Sequence, residues 1–147
     1  MNNAMTIAER LRIAREYVDV VFNQHSPERA VEFVSPDVIW HGNSLGVVAG
    51  AENVANLLKA FIGALPDLYA SEEDAIANDD LVVLRLVVKA TQSGDLLGIP
   101  ATNREVRWDA VDIYRIDDSG RITEEWAFDD LASVAMQLGA ATLPWAS

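Results

Sequence analysis

A chain of 147 residues with 23 Asp and Glu against 11 Lys and Arg carries a formal charge of −12, and half of its residues are hydrophobic. That length supports one core burying roughly 68–70% of the unfolded chain's surface, so residues 1–147 read as a single domain. With no cysteine and only two histidines, His25 and His41, a disulfide framework, a thiol nucleophile and a zinc site of several Cys or His ligands are excluded. The acidity also disfavours nucleic acid and anionic membrane surfaces as partners.

The first helix is expected to start at Thr6, which has capping-box spacing to Glu9. Ile7, Leu11, Ala14, Val18 and Val21 then form one apolar stripe, with Ile13 and Tyr17 on its edge. Ser26-Pro27-Glu28 reads as a second helix start, its apolar side made of Ala30, Val31, Phe33 and Val34. Pro36 is expected to end that helix and Asp37–His41 to form a short strand before the Gly42–Gly50 loop. A third helix follows, with Val54, Leu57, Leu58, Phe61 and Leu65 on one face and Pro66 as its stop. Leu68–Ile76 suggests a strand.

From Leu81 the period changes from 3.6 to 2. Leu81–Thr91, Glu105–Ile116 and Arg121–Phe128 read as strands divided by turn clusters, and a last helix, Leu131–Leu138, closes at Gly139. No apolar run approaches the ~20 residues of a spanning helix. No basic segment leads into an apolar core as in a secretory leader, so a cytoplasmic protein is the expectation. Helices followed by long antiparallel strands imply an α+β domain, a cone-shaped barrel whose strongly curved sheet is covered by helices on its concave face. Such cones hold small molecules.

Alternation puts Arg107, Asp109, Val111, Ile113 and Arg115 on one face of the long strand, and Trp108, Ala110, Asp112, Tyr114 and Ile116 on the other. The next strand splits into Thr123, Glu125 and Ala127 against Glu124, Trp126 and Phe128. Which face is concave stays open. If the first sets face the helices, Asp109 and Glu125 enter an apolar chamber where desolvation suits them to proton transfer. The structural alternative pairs Asp109 with Arg85 or Arg107 in an ion pair at the pocket rim. His41 is a candidate proton shuttle or a hydrogen-bonded strand residue. Tyr17 is a candidate hydroxyl donor or a packing residue with a polar tip. Trp108, Tyr114 and Trp126, taken as one aromatic face opposite Asp109, suggest a homodimer. The acid pairs at 79–80, 117–118 and 129–130 fit turn and cap chemistry better than a metal site. No phosphate loop, nucleophile elbow or metalloprotease motif occurs.

The segment Gly94-Asp95-Leu96-Leu97-Gly98-Ile99-Pro100-Ala101-Thr102-Asn103-Arg104 resembles a turn of the SnoaL-like polyketide cyclase family, within the nuclear transport factor two superfamily. Val111-Asp112-Ile113-Tyr114-Arg115-Ile116, Gly120-Arg121-Ile122, Glu124-Glu125-Trp126 and Gln137-Leu138-Gly139 extend the resemblance over nearly the whole chain. It implies cofactor-free, metal-free ring closure of polyketides by intramolecular aldol condensation. The family's acid–base aspartate follows a tryptophan; here Ala127 stands in its place, and Val111 and Ile113 hold positions resembling two further polar pocket residues. The expectation is therefore a cofactor-independent cyclase or isomerase on a polyketide-like or other hydrophobic small molecule. Asp109 is its leading acid–base group, with His41, Glu125, Tyr17 and Arg85 beside it, and Trp40, Phe61, Arg107, Val111, Ile113 and Ala127 line the pocket. The alternatives are an epoxide-opening hydrolase or cyclase, suggested by the likeness of Arg85-Leu86-Val87 to the Arg-x-Asp strand of limonene-epoxide hydrolase, and a non-catalytic binding or accessory domain.

Overall fold

The computed structural model describes residues 4–146. Thr6 caps α1 (Ile7–Val18) as the sequence predicts, with both halves of the capping box formed. The expected stripe holds from Ala14 on, with Ala14, Val18 and Val21 buried and Tyr17 beside them, while Ile7 at its start is largely exposed. The helix continues as a π-helical turn, Asp19–Asn23, whose looser winding brings Phe22 as well as Val18 to the central cavity. Pro27–Glu32 is a 3₁₀ segment rather than an α-helix.

Pro36 lies inside a strand instead of ending a helix, because β1 runs over Val34–His41. β1 pairs in parallel with β6, and its register shifts between Val34 and Ile39. A proline, which has no N–H to give the ladder, is tolerated at such an irregularity. A short β2 (Val47–Ala49) emerges within the expected loop, and α2 (Ala51–Ala64) follows. β3 (Tyr69–Ala77), β4 (Leu81–Thr91), β5 (Glu105–Ile116) and β6 (Ile122–Asp129) form the antiparallel body. α3 (Leu131–Gln137) is capped by Asp130, whose side chain accepts from the Ser133 N–H. The six strands lie in the order β2-β1-β6-β5-β4-β3, an open, curved sheet whose concave face is covered by α1 and α2, as expected of a cone-shaped α+β fold. No helix among the described residues is long and apolar enough to cross a membrane.

Strand alternation then decides which residues meet the helices. Along β5, Val106, Trp108, Ala110, Asp112, Tyr114 and Ile116 are buried, while Glu105, Arg107 and Asp109 are exposed and Val111, Ile113 and Arg115 half-buried. The concave face is thus the one carrying Asp112, opposite to the face the sequence reading favoured.

The loop between β4 and β5 is tied to the core by one fully buried amide. Gln92 donates from Nε2 to the Ile99 and Pro100 carbonyls (2.9 and 3.2 Å), and its Oε1 accepts from the Thr102 N–H and hydroxyl (3.1 and 2.6 Å). These bonds fix the turn that carries Leu96 and Leu97 to the cavity. Gln92→Leu keeps the bulk but strands these partners, and is expected to cost about 2–4 kcal/mol in urea unfolding.

Candidate active site

Under the helices the sheet encloses a cavity of about 140 Å³. Phe61, Leu57 and Leu58 of α2, Trp40 of β1, Leu86 and Val88 of β4 and Trp108 of β5 make its walls apolar. Phe61 and Trp108 meet edge to face, 6.2 Å between ring centres, a favoured geometry for paired rings. Leu96, Leu97 and Asp95 border it from the β4–β5 loop.

Three carboxyl groups enter this apolar space: Asp112 from β5, and Glu125 and Asp129 from β6. Their arrangement follows from the ladder. Asp112 is paired directly with Ala127, Tyr114 with Glu125, and Ala110 with Asp129. Asp112 therefore has a methyl group opposite and an acid on each diagonal, the positions where cross-strand Cα atoms lie about 7–8 Å apart. Asp112 and Glu125 are buried at 7% and 3% exposure; Asp129 is half-buried.

Each acid has a defined partner or surrounding. Tyr114 donates its hydroxyl to Asp112 Oδ2 at 2.9 Å, and the Trp108 indole N–H donates to Asp129 Oδ1 at 2.8 Å. Desolvation, with the charge of Asp129 added, raises the Asp112 pKa to about 7. Desolvation, then Asp112 and Asp129, push Glu125 well above the usual carboxylate range, against the Trp40 side chain, which favours its charged form. Burial also raises Asp129, opposed by the Trp108 hydrogen bond. Tyr17 is fully buried, its ring 5.7 Å from that of Tyr114. Its hydroxyl has no hydrogen-bond partner among the described residues. Burial and the nearby charges of Glu125 and Asp112 hold that phenol protonated.

The expected site divides between the two faces of the sheet. Glu125, Trp40, Phe61 and Ala127 line the cavity, and Tyr17 lies beside its acids. Asp109, the expected acid–base group, is exposed on the convex side with Arg107. Val111 and Ile113 share its strand parity and are likewise absent from the cavity wall. Arg85 is also exposed and bonds Asp74 at 2.7 Å rather than Asp109. His41 points away from the cavity: its Nε2 contacts Glu124 at 2.7 Å, and its ring stacks on Trp126 at 5.1 Å. Arg115 completes this convex cluster, 2.6 Å from Glu124. The supposed aromatic face is split, since Trp108 and Tyr114 are buried inside while Trp126 lies outside with His41. A homodimer built on those three rings together is therefore withdrawn.

Asp112 and Asp129 are the site residues that the sequence reading missed. The signal lay in β5 itself. The set holding Asp112 has one charge among five apolar residues, whereas the other has four charges among six, and the more apolar set goes inward. No group of three or more His, Asp or Glu among the described residues has an arrangement fit for a metal ion.

A family model for SnoaL-like polyketide cyclases matches residues 11–138. Comparison with curated proteins gives no match. Among solved structures, AclR of Streptomyces galilaeus, provisionally named a hydroxylase, is 26% identical with a TM-score of 0.82, covering 93% of this chain and 100% of its own. IdmH of Streptomyces antibioticus, provisionally named a polyketide cyclase, is 26% identical with a TM-score of 0.70, covering 83% and 93%. A provisionally named SnoaL-like cyclase from Jannaschia sp. CCS1 superposes with a TM-score of 0.86 over 97% and 99% of the two chains, and at 19% identity shows likeness of fold alone.

The raised Asp112 pKa sets a pH dependence of stability. The folded state holds this proton more tightly than the unfolded chain, whose aspartate titrates near 3.8. Its contribution is therefore fullest below about pH 4, falls as pH rises to about 7, and is constant above. Asp112→Asn removes the ionisation and is expected to stabilise the protein by roughly 2–4 kcal/mol at about pH 8, with little change at about pH 4. Thermal unfolding across that range checks this.

Proposed function

The chain belongs to the SnoaL-like polyketide cyclase family, and from that premise we propose a cofactor-independent cyclase or isomerase in which Asp112 and Glu125 divide base and acid roles. The observation that carries this reading is the pair of buried carboxyls on neighbouring strands, facing one apolar cavity. A group titrating near 7 is ionised often enough at neutral pH to take a proton and basic enough to hold it. Glu125, pushed well above the usual carboxylate range by burial and by the charges of Asp112 and Asp129, is the group that donates.

In this scheme Asp112 removes a proton from carbon beside a ketone. Glu125 donates a hydrogen bond to the carbonyl oxygen as negative charge develops there. In an isomerisation, the proton returns from Asp112 to another carbon of the conjugated system. In a cyclisation, the enolate carbon attacks a second carbonyl of the same molecule, whose oxygen takes the proton. Tyr114 orients Asp112 through its hydroxyl. Walls of Trp40, Phe61 and Trp108 favour a flat, hydrophobic substrate. The epoxide-opening alternative loses its support, because Arg85 lies on the convex face.

The test is incorporation of solvent deuterium at the acidic carbon of aromatic β-dicarbonyl compounds. Asp112→Asn and Glu125→Gln are each expected to slow exchange by roughly 10²–10⁴-fold, while Asp109→Asn leaves it unchanged. Exhaustive chelation is expected to have no effect. Unaltered exchange in Asp112→Asn, or loss of exchange on chelation, overturns the proposal.

A further inference from the structure

Every titratable side chain lining the cavity is acidic. Asp112 and Glu125 are buried, Asp129 is half-buried, and exposed Asp95 stands in the loop beside them. None of the described lining residues is Lys, Arg or His. From α1, the nearest titratable group is the Tyr17 phenol, neutral and fully buried, with no partner for its hydroxyl among the described residues. From β5, Tyr114 adds a second neutral phenol, already bonded to Asp112. The linings from α2 and β4 are apolar. The basic side chains of the sheet, Arg85, Arg107 and Arg115, belong to its convex side.

A low-dielectric recess lined by one sign of charge focuses its potential, and the surrounding chain, at −12, reinforces rather than cancels it. Carboxylate or phosphate groups would add to charges that already lack a counterion. A cation instead supplies the missing partner, and the faces of Trp40 and Trp108 are surfaces on which cations bind favourably.

We infer that the cavity takes a hydrophobic, aromatic ligand bearing a basic nitrogen, which enters as the ammonium ion and docks between Asp129 and Asp112. Trp108 occupies Oδ1 of Asp129, and Oδ2 is left for the ammonium. The apolar body of the ligand lies against Trp40 and Phe61. This deepens the acid–base reading by naming its substrate class: an ammonium beside Asp129 favours ionised Asp112, so the substrate itself prepares the base.

Three probes of similar size and different charge test it by titration calorimetry: 2-phenylethylamine, 2-phenylethanol and phenylacetate. The amine is expected to bind about tenfold or more tightly than the alcohol at about pH 8, and phenylacetate most weakly. Affinity for the amine should fall as pH drops to about 5.5, while that for the alcohol stays level. Asp129→Asn keeps an oxygen for Trp108 and should bring the amine-to-alcohol ratio close to one. An amine that binds no better than the alcohol, a phenylacetate that binds best, or a preference untouched in Asp129→Asn overturns the inference. Deuterium exchange separates it from the underlying reading: exchange lost in Asp112→Asn without an amine preference removes only the ligand class, whereas an amine preference with exchange unaffected by Asp112→Asn removes the acid–base roles.

Discussion

Placing three carboxyl groups in one apolar chamber is a constraint that the surrounding structure answers at several points. Charge is costly there because water is largely displaced and like charges sit on the diagonals of the same ladder. The fold meets this by raising the proton affinity of all three acids and giving two of them fixed donors, Tyr114 for Asp112 and Trp108 for Asp129. All three rise from β5 and β6, so their spacing is set by backbone pairing rather than by mobile loops. Groups that oppose folding in this way are characteristic of sites kept for chemistry rather than for stability.

Ala127 connects this arrangement to the family. It stands where the family resemblance places an acid, and in the ladder it is the direct cross-strand partner of Asp112. The small side chain on β6 and the acid on β5 are thus two halves of one pair. A carboxyl thus lies directly across the ladder from the position where the resemblance places an acid.

Much of the fold was legible because local signals and burial agreed. Thr6 and Glu9 sit at capping-box spacing, Gly139 adopts the positive φ expected after a helix, and the period-2 segments became β4, β5 and β6 within a residue or two. Pro36 misled because a break in a helix and a bulge in a strand look alike in sequence. The site was half legible. Glu125, Trp40, Phe61 and Ala127 line the cavity, but assigning Asp109 to the face of Glu125 needed the register between two strands. An offset of one residue there exchanges the two faces completely. His41 likewise depended on long-range pairing, since Glu124 and Trp126 become its neighbours only through the contact of β1 with β6.

That parallel contact also governs when the cavity can exist. Trp40 belongs to the first third of the chain and Glu125 to its last fifth, yet they are matched across β1 and β6. During synthesis, β1 has emerged long before its partner is made, so the apolar face it will bury waits uncovered. Closing so large a loop is entropically unfavourable until many contacts form together, which makes this step a late and slow one. The wall that completes the chamber is therefore expected to be among the last parts of the molecule to assemble, and a chain truncated before β6 lacks Glu125, Ala127 and Asp129 from the chamber's lining.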